Sequence, residues 1–259
     1  MNNDDIKKKY NAKIKEIKLH NKLYFDKNNP KISDAAYDLL KNEIIKLENK
    51  YPFLENKYSP TNIVGFKPSK NFSKFSHRVK MLSLSNVFSK EDLTNFEKKI
   101  FNYLNLDKKK KIEYSVEPKI DGISASLTYK NGVLISGVSR GDGEEGELIT
   151  ENLKTIKDIP HVISSKDFPD EIDIRGEVFI LNSDFEKIKG NFANPRNAAS
   201  GSLRQKNPDE TKKIPLKFIA YSFGFFNKNT FLKQSDFIRS LKNWGFKISK
   251  YNKIISGTD

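Results

Sequence analysis

Apolar residues recur at helical intervals over the first fifty positions and then give way to alternation. Ile6, Tyr10, Ile14, Ile17 and Leu19 sit among charged residues at near-helical spacing, which predicts a helix from residue 4 to about 27, broken around "DKNNP" before Pro30. Ser33 is placed to cap a second helix, "SDAAYDLLKNEIIKLENKY", on which Tyr37, Leu40, Ile44 and Leu47 form one stripe. Together they make a small helical hairpin. The following stretch, "YPFLENKYSPTNIVGFKPSKNF", is rich in Pro, Asn and Gly, as a linker should be. A boundary is expected near residue 70, with a helical module over 1–70 and a second domain over 71–259.

The second domain reads mostly as strands. One helix interrupts it from about Lys90 to Leu104, begun by Ser89 and supported by Asp92 as an acid three residues on. Residues 112–117 alternate, and "ISASLTYKNGVLISGVSR" is two alternating runs joined by Asn131-Gly132, a pair suited to a type I′ turn. "EIDIRGEVFIL" puts Ile172, Ile174, Val178 and Ile180 on one face and Asp173, Arg175 and Glu177 on the other. "PLKFIAYSFGFF" is a nearly continuous apolar strand. The run Lys108 to Lys111 reads as a solvated turn.

Charge narrows the partners. The 259 residues carry a net charge of +14 with 31% charged residues, a balance suited to a partner bearing phosphates, although the excess of Lys, Asn and Ile also fits a nucleotide-composition bias. With no cysteine, this sequence holds neither disulfides nor a thiolate-bound zinc. No segment has the apolar length of a signal peptide or a membrane span, so a soluble cytoplasmic protein is expected.

The candidate chemistry centres on "EPKIDG", Glu117 to Gly122. If the strand before it continues, Glu117 and Lys119 project from one face, with Asp121 where Gly122 turns the chain. Lys119 is then either half of an ion pair at a strand end or an amine nucleophile. A nucleophilic lysine must be neutral, and an ordinary lysine with a pKa near ~10.4 is under roughly 0.1% neutral at pH 7, a shortfall of about 4 to 5 kcal/mol. Neighbouring carboxylates increase that shortfall, so function demands compensating positive charge: a divalent metal near Asp121 and Glu177, or further lysines.

"EPKIDG", "SRGDGEEGE", "RGEVF" and "FANPRNAASGSLRQ", in this order, resemble the nucleotidyltransferase domain of the bacterial NAD-dependent DNA ligases, and "LYFDKNNPKISDAAYDLL" resembles their N-terminal module. "SPTNIVG" and "MLSLSNVF" also match in order, so the similarity runs through nearly the whole chain. The resemblance implies an α+β fold: the helical hairpin, then a nucleotidyltransferase domain of mainly antiparallel sheets with flanking helices. It implies a lysine-AMP intermediate formed from NAD at Lys119, with Asp121 as its catalytic companion, and transfer of the AMP to the 5′-phosphate of nicked double-stranded DNA. Glu117 matches an adenine contact, Glu177 a ribose contact, Arg140 a nucleotide contact, and Ser83 and Leu84 the lining of the adenosine pocket. Tyr24, Asp34, Tyr37 and Asp38, with Ala35 and Ala36, match the nicotinamide mononucleotide site, where aromatic faces and carboxylates suit a cationic pyridinium ring. Tyr37 also fits core packing, and Asp34 an ordinary first-turn acid. Arg196 and Arg204 resemble residues near the phosphates of NAD or DNA, with a salt-bridged surface as the alternative. "RGDGEEGE" reads either as a flexible loop or as a turn whose amides approach phosphate. Mg2+ belongs to the family's chemistry, with Asp121 and Glu177 as its holders through water.

Two departures set further expectations. Phe25 stands where the family usually has His or Tyr, keeping an aromatic surface without a hydrogen-bonding group. After "LKNWGFKISKYNKIISGTD" the family continues into lysine-bearing strands and further domains, so the domain is expected to be C-terminally incomplete, to self-adenylate poorly and to bind DNA weakly. A fragment that only binds NAD or nucleic acid is the competing reading. An ATP-using nucleotidyltransferase would share Lys-x-Asp-Gly, but it has no nicotinamide half for the hairpin to recognise.

Overall fold

The structure, a computed structural model, describes residues 3–23, 31–54, 59–61, 72–107, 110–188, 190, 192–228 and 231–257. Helix α1 (Asn3–Asn21) packs against α2 (Asp34–Lys50) as expected for the hairpin. Ile6, Tyr10, Ile17, Leu40 and Ile44 form its core, closed by Leu54 from a short 3-10 turn at Pro52–Leu54. Ser33 caps α2, its hydroxyl accepting from the Ala36 amide at 3.2 Å. The α-helix runs to Asn21 and residues 22–23 continue it as a wider helical turn, while the predicted end near residue 27 lies outside the described residues; Leu19, assigned to the helix stripe, is 55% exposed. Tyr24, Phe25 and the expected boundary near residue 70 lie outside the described residues, as do Lys108 and Lys109 of the lysine run.

The second region is built on a four-stranded antiparallel sheet in the order β4-β3-β6-β7. Its strands are β3 (Ile123–Lys130), β4 (Val133–Ser139), β6 (Glu171–Phe179) and β7 (Lys217–Phe226). Asn131 and Gly132 join β3 to β4 with φ of 49° and 75°, the two positive values that a type I′ turn requires. One face of the sheet carries Leu127, Tyr129, Ile172, Ile174 and Val178, all fully buried. Helices α4 (Thr150–Lys154), α5 (Asn182–Phe185), α6 (Pro195–Leu203), α7 (Pro208–Lys212) and α8 (Gln234–Asn243) accompany it, and the core cluster draws Leu153, Phe185, Ala198, Ala199, Phe237 and Leu241 from them.

The opposite face of β6, predicted as the charged one, is also covered. Asp173 and Glu177 are both buried, and residues 72–81 cross this face as a strap that meets Asp173 and Arg175. Register pairs Thr128 with Asp173 and Ser124 with Glu177, so hydroxyls on β3 donate to carboxylates on β6 at 2.7 and 2.8 Å. Arg78 forks onto Asp173 and Glu171 while lying 4.0 Å from the centroid of the Phe225 ring. The guanidinium of Arg175 in turn donates to the carbonyls of Val79 and Lys80. Within the strap, β1 (Lys74–Ser76) pairs with β5 (Glu145–Glu147). A polar face thus tolerates burial because its charges meet opposite charges and hydroxyls.

The alternation over residues 112–117 appears as β2 (Glu113–Val116), which pairs with β8 (Lys253–Ser256), a short strand absent from the sequence expectation. Helix α3 (Lys90–Tyr103) starts with the expected Ser89/Asp92 capping box but buries none of its residues.

Candidate active site

Pro118 has no N–H to donate to a ladder, so β2 stops at Val116 and "EPKIDG" becomes a crossing segment between the two-stranded and four-stranded sheets. Glu117 and Lys119 therefore do not share a strand face. Glu117 accepts at Oε1 from Ser115 Oγ and Gln234 Nε2, both at 3.1 Å. Lys119 is exposed and close enough for its charge to act on Glu177. Gly122 follows from crowding, because a Cβ there would stand 2.2 Å from the Val178 carbonyl oxygen. No other residue lets the chain enter β3 this close to β6.

Glu177 lies at the centre. It is 8% exposed and receives a hydrogen bond from Ser124. Burial pushes its carboxyl above the usual carboxylate range, against the Ser124 hydrogen bond and the charges of Arg196, Lys119 and Arg140. Tyr221 on β7 lies beside it, its phenol pushed up by burial first and by the Glu177 charge second. Asp121, 63% exposed, takes Arg196 Nη1 at 2.8 Å.

"NPRN" is read by the structure as a helix start. Asn194 caps α6 by accepting from the Asn197 amide at 2.8 Å, and Pro195 fills the first helical position. The small residues that follow bury α6: Ala198, Ala199, Ser200 and Ser202 are all buried. The two arginines at its ends diverge in role. Arg196 faces Asp121, whereas Arg204 Nε donates at 2.8 Å to Glu147, a carboxylate only 1% exposed.

"RGDGEEGE" is an ordered turn. Asp142 Oδ1 accepts from the amides of Glu144 and Glu145 at 3.0 and 2.9 Å, and the Asp142 and Gly143 amides donate to the carbonyls of Glu145 and Arg140. The amides expected to meet phosphate are thus engaged within the turn, and the Arg140 amide donates to the Ser124 carbonyl. The charge of Arg140 reaches Glu177 and Tyr221, and also Lys41 on α2, whose amine is pushed down by burial first. A cavity of about 580 Å³ between the strap and this turn is lined by the Lys74–Glu145 and Lys80–Glu144 ion pairs and does not include Lys119.

The remaining candidates lie on the hairpin and in the stretch after Met81. Tyr37 packs on the hairpin core and donates to Asn21 Oδ1 at 2.7 Å, its phenol raised by burial and by Asp38. Asp34 opens α2, Ala35 and Ala36 are exposed, and Asp38 is partly buried. Ser83 is exposed and Leu84 is 76% exposed, in an extended stretch after Met81. Ser124, Tyr221 and Gln234 were missed. The hydroxyls of "ISASLTYK" alternate, which was a usable signal for Ser124, whereas Tyr221 is hidden in an apolar run and Gln234 carries no local signal. Among the described residues no three His, Asp or Glu side chains group to hold a metal.

Lys119, buried Glu177, Arg140, Arg196 and Tyr221 thus gather about one antiparallel sheet. A family model described as the NAD-dependent DNA ligase adenylation domain matches residues 69–259. A second, described as the DNA ligase-like N-terminal NAD+-binding domain, matches residues 3–65. The chain belongs to the NAD-dependent DNA ligase adenylation-domain family. It is 62% identical over 257 residues to a DNA ligase of Pelagibacter ubique, covering 99% of this chain and 38% of that protein. It is 44% identical over 242 residues to a DNA ligase of Parvibaculum lavamentivorans, covering 90% of this chain and 34% of the relative. A DNA ligase of Rickettsia bellii is 41% identical over 267 aligned positions, covering 100% of this chain and 38% of its own length. The chain therefore spans little more than a third of the relatives it matches. No helix among the described residues is long and apolar enough to cross a membrane.

Proposed function

We propose that the chain is the portion of an NAD-dependent DNA ligase that takes the adenylate from NAD. In this reading Lys119 Nζ attacks the α-phosphorus, the N–P bond forms, the bond to nicotinamide mononucleotide breaks, and the mononucleotide leaves. Glu117 meets the adenine, Glu177 the ribose, Arg140 and Arg196 the phosphates, and Ser83 and Leu84 the adenosine. The hairpin takes the mononucleotide half through Tyr24, Asp34, Ala35, Ala36, Tyr37 and Asp38. Arg204 holds α6 in place through Glu147. In the whole protein the AMP passes to the 5′-phosphate of a nick in duplex DNA and the 3′-hydroxyl displaces it, in a cytoplasmic setting. Magnesium is proposed as an ion brought in with the diphosphate of NAD, reached by Asp121 and Glu177 through water.

The observation that carries the reading is the convergence of Lys119, Arg140 and Arg196 on buried Glu177. Arg196 on Asp121 and Arg140 near Glu177 supply part of the positive charge that the sequence led us to seek in a metal or further lysines. The test is the intact mass of the chain after incubation with NAD and magnesium, beside ATP and Lys119→Ala. The expected result is a slow, sub-stoichiometric gain of one adenylate from NAD alone, lost in Lys119→Ala. An adduct from ATP instead, or one that survives in Lys119→Ala, overturns the assignment.

A further inference from the structure

Gln234 is the first residue of α8, yet its side chain does not serve that helix. Its Nε2 donates to Glu117 Oε1 at 3.1 Å and to the Tyr221 carbonyl oxygen at 2.7 Å. A carboxylate and a carbonyl both only accept, so the amide nitrogen, not its oxygen, must face them. The bridge spans the two sheets: Tyr221 belongs to β7 of the four-stranded sheet, and Glu117 follows β2 of the two-stranded one. Next to it, Lys233 Nζ holds Glu113 on β2 at 3.1 Å, so the start of α8 clamps this strand at two points. Tyr221 lies beside Glu177, and Gln234 therefore ties the carboxylate proposed for the ribose to the one proposed for the base.

We infer that Gln234 is a positioning residue that sets base specificity by aiming Glu117. With Oε1 held by Ser115 and Gln234, Oε2 is the acceptor presented to a base. The donor that adenine offers to an acceptor-only group is its exocyclic amine, which a 6-oxo base lacks. The arrangement selects the adenine dinucleotide over its hypoxanthine counterpart, and the selection depends on Gln234 as much as on Glu117. This inference rests on the reading of Glu117 as the adenine contact.

The test is calorimetric binding of NAD and of nicotinamide hypoxanthine dinucleotide to the 259-residue chain, as wild type, Glu117→Ala, Gln234→Ala and Gln234→Met. Glu117→Ala leaves no acceptor, Met keeps the length of Gln without a donor, and melting curves verify that each variant folds. The wild type is expected to prefer NAD by about tenfold or more, the effect of one charge-assisted hydrogen bond. The preference should collapse towards unity in Glu117→Ala and in both Gln234 variants, through weaker NAD binding with the hypoxanthine analogue little changed. A preference lost in Glu117→Ala but kept in a folded Gln234 variant overturns the role of Gln234. A preference kept in Glu117→Ala, or absent from the wild type, overturns the base contact itself. A wild-type chain that does not bind NAD overturns the adenylation reading.

Discussion

Glu177 shows what burial costs a single carboxylate. Burial raises its carboxyl above the unfolded value of about 4.5, so between the two values the folded chain holds a proton that the unfolded chain lacks. Stability then falls as pH rises through that window, because ionisation leaves the fold with a desolvated carboxylate. Glu177→Gln removes the cost while its side-chain oxygen still accepts from Ser124. Its melting temperature is expected above that of the wild type at neutral pH, with the gain closing as pH falls towards 4.5, while NAD affinity drops. An unchanged or lowered melting temperature at neutral pH would show that Arg140, Arg196 and Lys119 already stabilise the ionised form fully.

At the scale of the element, α6 has one end in the site and the other in the core. Its sequence alone makes Arg196 and Arg204 look equivalent, eight residues apart and each set among small neighbours. The fold separates them, because Asp121 is largely exposed and Glu147 is not. Arg196→Ala removes a mostly buried side chain but leaves behind an exposed carboxylate, so it is expected to cost less stability than Arg204→Ala and to weaken NAD binding. Arg204→Ala leaves a buried carboxylate short of its partner and is expected to cost about 2 to 4 kcal/mol in denaturant unfolding. Equal losses of stability in the two variants would contradict this division. "EPKIDG" gives the parallel lesson for a strand: two-residue spacing suggested that Glu117 and Lys119 share a face, but Pro118 ends the ladder and the segment crosses between sheets.

At the scale of the molecule, the net charge of +14 is the most general clue to a partner. Phosphate binding driven by lysines releases counterions, so affinity for a nicked duplex is expected to fall by about two orders of magnitude between 50 and 200 mM salt, as three or four neutralised phosphates would give. Binding that ignores salt in a titration by fluorescence anisotropy would assign the charge to composition rather than to nucleic acid.

The sequence by itself determined the elements whose physics is local. The hairpin stripe, the Ser33 and Ser89 caps, the Asn131-Gly132 turn and the apolar face of β6 each depend on neighbours within a few residues. It also placed Lys119, Glu177 and Arg140 among the candidates, through motifs that lie far apart in the chain. Only the tertiary structure decided how those motifs meet. Strand register set Ser124 against Glu177, the start of α8 brought Gln234 to Glu117, and the strap covered part of a charged face that alternation assigned simply as polar. These are contacts between residues 53 to 117 positions apart, and no local pattern encodes which distant partner a polar side chain will find.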